Sequence, residues 1–321
     1  MILNPTRFFP HDAPPADRLL GRFVAADPGP TLLIVAGLHG NEPAGLAAVR
    51  RFIEGFDPTV AGFRGAIVAL AGNLGALAAG VRFHDRDLNR RWCDARLADL
   101  RAAHAAGEPL SLEDGEQLAL ADSIDQVFAE ARGPVVFLDL HTTSAGGYPF
   151  GMIADDPAQQ AIALHFQLPI ILGLLEQVDG VLLEWLRDRG ATCLGIEAGQ
   201  HDLSASADHH LAALRVAVAA AGLVPEASQS DLAAAHDLLA EARGQLPRLM
   251  RVDRRHAITI EDRFVMEPGF ANIHPVEKGQ LLARDRSGEI RAAEAGLLFM
   301  PLYQGLGDDG FFLGRALSVE L

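Results

Sequence analysis

Short runs of mostly apolar residues punctuate the first two thirds of the chain: TLLIVA over 31–36, GAIVALA over 65–71, PVVFLDL over 134–140, LPIILGLL around 170 and TCLGI over 192–196. Each is too short for a helix and ends at Gly, Asn or a charged residue, the signature of a strand buried on both faces. A further strand is expected in the lead-in at 22–25. The segments between them show helical spacing, as with Leu46, Val49 and Ile53. This predicts helices over 45–55, 111–132, 156–167, 181–189, 206–221 and 231–243, and one in the Ala- and Arg-rich stretch from 94 to 110. Ser111 with Asp114 three residues on marks a helix start.

Strands separated by helices predict parallel βαβ units in a doubly wound α/β sheet. From about residue 245 the texture changes to short alternating segments (HAITI, RFVME, GQLLARD, LLFMPLY, FFLGRALSVEL) broken by Gly, Pro and Asp, the pattern of a small antiparallel β domain. Two domains are therefore expected, 1–244 and 245–321.

Composition narrows the function. With 321 residues and 49% hydrophobic content, and no apolar run near 18 residues, the chain reads as soluble and without a membrane partner. The N-terminus lacks the apolar core of a signal peptide, so the cytoplasm is the expected location. The net charge of −15 argues against nucleic acid. Cys93 and Cys193 are too few for a disulfide framework or a thiolate zinc site and read as buried thiols. Lys278 is the only lysine, which removes Schiff-base and P-loop chemistry. The oligomeric state is left open, a homo-oligomer included.

Candidate chemistry gathers at the predicted strand ends. His39 and Glu42 follow the first run, His141 the third and Glu197 the last. In open α/β sheets ligands bind at that edge. Two histidines and a carboxylate that leave one position open form a catalytic zinc site, where a bound water ionises near pH 7. Glu197 then becomes a general base for the attacking water and an acid for the leaving amine. The loop GNLGALAAGVRFHDRDLNRRW adds Arg82, Asp87, Asn89, Arg90 and Arg91, whose guanidinium groups can polarise a carbonyl or clamp a carboxylate. GLGDDG over 305–310 satisfies GxGxxG but has no room for a βαβ unit after it and reads as a tight turn. His209 and His210 are adjacent on a predicted helix and read as surface or supporting residues.

Taken together, GLHGNEPAG, GNLGALAAGVRFHDRDLNRRW, DLHTT and GIEAG resemble the succinylglutamate desuccinylase/aspartoacylase family, related to zinc carboxypeptidases, over about Thr31 to Glu197 and more weakly beyond. The resemblance implies a carboxypeptidase-like catalytic domain, a mixed sheet flanked by helices, and a β domain that narrows the active-site entrance. It implies one zinc ion on His39, Glu42 and His141, with Glu197 as the catalytic glutamate. It makes Arg82 the group that polarises the carbonyl, Asn89 and Arg90 substrate-binding residues, and Asp87 a supporting carboxylate. The implied reaction is hydrolysis of a small N-acyl amino acid, with a peptide carboxypeptidase and a non-catalytic metal-binding protein as alternatives. Members that take acidic amides use a further arginine about ten residues before the glutamate, which is Arg187 here, with Arg189 close by. The stretches that carry tyrosines in aspartoacylases, here VLLEWLR and GFANIHPVEKGQ, contain none. That departure bears on the substrate rather than on the hydrolytic core.

Overall fold

The computed structural model describes residues 14–317. In chain order the elements begin with β1 (Leu19–Val24), β2 (Thr31–Ala36), α1 (Ala44–Gly55), β3 (Ala66–Ala71) and α2 (Leu74–Ala79). They continue through α3 (Asp94–Ala105), α4 (Leu112–Glu130), β4 (Val135–Thr143), β5 (Phe150–Met152), α5 (Pro157–Ala163), β6 (Ile170–Leu172), α6 (Leu182–Asp188) and β7 (Thr192–Gln200). After α7 (Ser204–Ala220) and α8 (Leu232–Arg243) come β8 (Leu249–Ala257), β9 (Val265–Met266), β10 (His274–Val276), β11 (Leu281–Asp285), β12 (Gly288–Arg291), β13 (Gly296–Phe299) and β14 (Asp309–Ala316).

The apolar runs are strands for the reason their composition implies. Every residue of β2 is buried, because alternate side chains enter cores on opposite faces of the sheet. Leu32, Ile34 and Ala36 join the cluster that includes α1, α7 and α8, whereas Leu33 and Val35 join the one that includes α3, α4 and α6. The sheet order is β1-β3-β2-β4-β7-β5-β6-β8-β14-β13-β10, with a separate three-stranded sheet β12-β11-β9. The centre, β3-β2-β4-β7, is parallel. β5 then runs antiparallel to β7, so the sheet is mixed rather than a simple parallel stack.

Three local expectations change. The loop after Gly72 contains α2, whose Asn73 cap accepts a hydrogen bond from the Ala76 N–H. The helix expected from Ser206 begins at Ser204 instead, with Leu203 before it. Strands β4 and β7 run past their predicted ends, so His141 and Glu197 are themselves strand residues and face each other across the pair. Ser111 does cap α4, accepting from the Asp114 N–H. The C-terminal strands have their own apolar cluster around Phe270, Leu282, Leu298 and Phe311. They also extend the main sheet, since β8 pairs with β6 and β14 with β8.

The two thiols differ. Cys193 is buried within β7, and Cys93 is exposed before α3, against the expectation that both are buried. Burial pushes the Cys193 thiol far above its ordinary pKa, and the thiolate is the reactive form. Iodoacetamide is therefore expected to modify about one thiol per native chain, at Cys93, and both after denaturation. Peptide mass spectrometry reads the site directly.

Candidate active site

β2 ends at Ala36, and the chain turns through Gly37, whose φ of 74° suits glycine. The next glycine, Gly40, lies against α2: a Cβ there would stand 2.1 Å from the Ala76 carbonyl oxygen. This close approach seats His39 and Glu42 over the sheet edge, both buried. His141 comes from β4 and Glu197 from β7, also buried.

The Glu42 carboxylate bridges the two rings. Its Oε1 lies 2.8 Å from His39 Nδ1 and its Oε2 lies 3.0 Å from His141 Nδ1. The Thr142 backbone N–H donates to Oε2 at 3.0 Å. On the far side of each ring stands another carboxylate. Asp87 Oδ1 is 3.1 Å from His39 Nε2. Asp139 Oδ2 is 3.1 Å from His141 Nε2, an ion-pair contact rather than an aligned hydrogen bond. These outer carboxylates favour a proton on each Nε2 and leave the Nδ1 lone pairs turned towards Glu42.

Two imidazole lone pairs and a carboxylate facing one another repel unless a proton or a cation lies between them. Burial opposes the charged forms, but Asp139 and Glu42 together raise His141 well above its ordinary pKa, and His39 and His141 hold Glu42 well below its own. One donor atom from each of His39, Glu42 and His141 falls within 4.8 Å of the others. Two nitrogens and one oxygen at that spacing fit the donor set of a catalytic zinc ion.

Glu197 stands beside this group with one carboxylate oxygen, Oε2, buried and without a partner among the described residues. Burial pushes its carboxyl up to about 8, against the pull of His141 and Arg82. Arg82 reaches in from the loop, donating to Asp87 Oδ2 at 2.8 Å and lying 3.5 Å from Glu42 Oε1. Asp87 also accepts from the Asn89 N–H at 2.9 Å, and Asn89 Oδ1 accepts from the Leu182 N–H at 2.8 Å. Asp87 thus ties Arg82, His39 and Asn89 into one network.

That loop is stapled from outside by α4. Glu113, 1% exposed, accepts from the backbone N–H groups of His84 (2.7 Å) and Asp85 (2.9 Å) and from Asn73 Nδ2 (3.3 Å). Glu116 accepts from the Leu74 and Gly75 N–H groups, both at 3.1 Å. Burial alone would raise the Glu113 carboxyl, but its backbone hydrogen bonds hold it below the ordinary value. Its contribution is therefore complete above the unfolded pKa of about 4.3 and is lost as pH falls through the lower native pKa. Glu113→Ala is expected to cost about 1–3 kcal/mol at pH 7 by leaving buried N–H groups unsatisfied. Urea denaturation of both proteins measures it, and the gap should narrow in acid.

His39, Glu42, Arg82, Asn89, Arg90, His141 and Glu197 all line one cavity of about 100 Å³. Arg187, expected to bind a substrate carboxylate, is not among the residues lining it. It lies on α6, ion-paired with Asp188 at 3.0 Å and near Glu184 at 3.9 Å, so carboxylates of its own helix hold it outwards. Arg189 is outside as well, stacked on Trp185 and Phe128 and paired with Asp125. His209 and His210 lie in the second turn of α7: Nδ1 of the first contacts the Ala198 carbonyl oxygen at 2.8 Å, and the second is fully buried.

Two site residues escape a reading of the sequence. Asp139 is the one charge in PVVFLDL, and that isolation within a buried strand was the available signal. Asp309 belongs to the GLGDDG turn. Its Oδ2 is 2.6 Å from Arg90 Nη2, and its Oδ1 accepts from Arg255. Nothing local in the turn indicates so distant a partner.

Fold and site define a carboxypeptidase-like α/β protein with a His–Glu–His cluster at the carboxyl edge of its sheet. Residues 28–221 match the succinylglutamate desuccinylase/aspartoacylase catalytic domain, and the chain belongs to that family. It is 30% identical over 112 residues to a succinylglutamate desuccinylase of Burkholderia pseudomallei, a match that covers 35% of this chain and only 30% of that protein. The corresponding protein of Paraburkholderia xenovorans is 24% identical over 287 residues, covering 79% of this chain and 72% of that one. A succinylglutamate desuccinylase/aspartoacylase structure from Rhodobacter sphaeroides superposes with a TM-score of 0.64 at 19% identity, over 91% of this chain and 87% of the other. The relatives named are hydrolases, and the shared fold is carboxypeptidase-like.

Proposed function

We propose that the chain is a zinc-dependent amidohydrolase that removes the acyl group from a small N-acyl amino acid or related amine. The observation that carries this reading is the juxtaposition of three donor atoms within 4.8 Å with an unpartnered, buried Glu197 oxygen and the Arg82 guanidinium. His39, Glu42 and His141 hold the zinc, which when bound supplies Lewis acidity and acidifies water. Glu197 accepts a proton from the attacking water as its oxygen bonds to the amide carbon. It then delivers that proton to the nitrogen as the C–N bond breaks. Arg82 donates to the carbonyl oxygen, where negative charge develops, and Asp87 holds it there. Asn89 and Arg90 orient the substrate.

A small substrate is favoured over a peptide because Met300, Pro301, Leu302 and Gln304, from the loop between β13 and β14, wall the same cavity. Two unpaired cysteines suit a reducing cytoplasm, and among the described residues no helix is long and apolar enough to cross a membrane. The test is release of free amine by the zinc-loaded protein from N-succinyl, N-acetyl and N-formyl amino acids, alongside unblocked peptides. Turnover of an N-acyl amino acid supports the reading. Release of ordinary C-terminal residues from peptides in its place reverses it in favour of a carboxypeptidase.

A further inference from the structure

The reactive groups occupy one part of the cavity; Thr142, Thr143, Ser144 and Gln304 add polar atoms to its wall, and much of the rest is apolar. Leu174, Leu175, Val178, Val181, Leu183 and Phe312 line it, each no more than 5% exposed. Gly195, two residues before Glu197, presents the same face of β7. A Cβ at that position would lie 2.8 Å from Met152 Cγ and 2.9 Å from Leu183 Cδ1. The glycine therefore lets two apolar side chains close over the strand next to the catalytic glutamate.

Each cation lining the same cavity already has a carboxylate partner. Arg82 is paired with Asp87 at 2.8 Å and Arg90 with Asp309 at 2.6 Å. Asp309 is shared with Arg255, whereas Arg187 and Arg189 pair with carboxylates outside the cavity. A second carboxylate on the substrate would meet leucine and valine side chains, or compete with Asp309 for Arg90. Burying an ionised carboxylate without a partner is strongly unfavourable, while burying a branched alkyl group there is favourable.

We propose that this cavity accepts an uncharged, apolar arm of the substrate, and that Asp309, by occupying Arg90, is the residue that excludes an acidic one. The proposal rests on the amidohydrolase reading only for the identity of the bond cleaved, since the preference belongs to the cavity itself.

Succinate and 4-methylpentanoate form a matched pair, because an isopropyl group replaces one carboxylate at equal chain length. Calorimetric titration of each into the zinc-loaded native protein is expected to show 4-methylpentanoate binding at least about 10-fold more tightly, as roughly two buried methyl groups provide. Succinate binding as tightly or more tightly overturns the proposal, and so does the absence of measurable 4-methylpentanoate binding. This comparison needs no variant. In Asp309→Asn, which keeps the side-chain shape and frees Arg90, succinate is expected to gain about 5-fold or more relative to its partner. An unchanged ratio in a folded variant removes Asp309 from the account. If the native preference holds while no N-acyl amino acid is hydrolysed, the deacylase reading fails and the cavity assignment stands.

Discussion

Glu197→Gln is expected to retain about one zinc ion per chain while hydrolysis falls by roughly 10²–10⁴-fold, the usual contribution of a positioned acid–base group. The two results separate roles that one buried carboxylate could otherwise confuse. Glu197 is outside the group of three donors, so its amide isostere leaves the metal's partners intact. What it loses is the carboxylate proposed to take the water proton, whose Oε2 has no partner among the described residues. Elemental analysis paired with an amine-release assay checks both. Full activity in this variant would mean that another group moves the proton. Loss of zinc would mean that Glu197 is a ligand.

Glu42→Ala carries the other large effect. This carboxylate contacts both rings and accepts the Thr142 N–H, so its removal takes away one donor and leaves two imidazoles without the charge that orients them. The variant is expected to lose its zinc on dialysis, with activity falling below detection at any pH. Asp139→Asn supplies a graded comparison. It touches His141 only on the Nε2 side, so zinc should be weakened by about 10–100-fold, as when an outer partner of a ligand is lost. Competition with a chromophoric chelator measures both constants. Equal weakening by the two substitutions would contradict the assignment of Glu42 as a ligand and Asp139 as its support.

Much of this arrangement was legible along the chain because it depends on local order. Buried parallel strands must be apolar throughout, and ligands of such sheets stand at the carboxyl edge, so His39, Glu42, His141 and Glu197 could be placed together before any geometry was known. The loop from Arg82 to Arg90 was legible by its concentration of charge. Where spacing along the chain said least, side-chain pairing decided the outcome. Arg187 was expected at the site by its distance from Glu197, yet Glu184 and Asp188 on its own helix decide where it lies. Asp309 looked like part of a turn, and only the pairing of β14 with β8 brings it to Arg90 and Arg255. The antiparallel β5 was hidden because three residues, FGM, carry no periodicity. Substrate preference was the least legible property, since residues from α6, the loop after β6 and β14 converge on the cavity only in three dimensions.

X-ray absorption at the zinc edge, on the native protein with its metal content determined, is the decisive measurement of whether His39, Glu42 and His141 hold zinc. About one zinc ion per chain is expected, with nitrogen and oxygen neighbours at about 2.0–2.2 Å and the multiple-scattering signature of two imidazoles, lost in Glu42→Ala. A native chain that takes up no transition metal, or a zinc shell containing sulfur or lacking imidazole, would contradict that assignment.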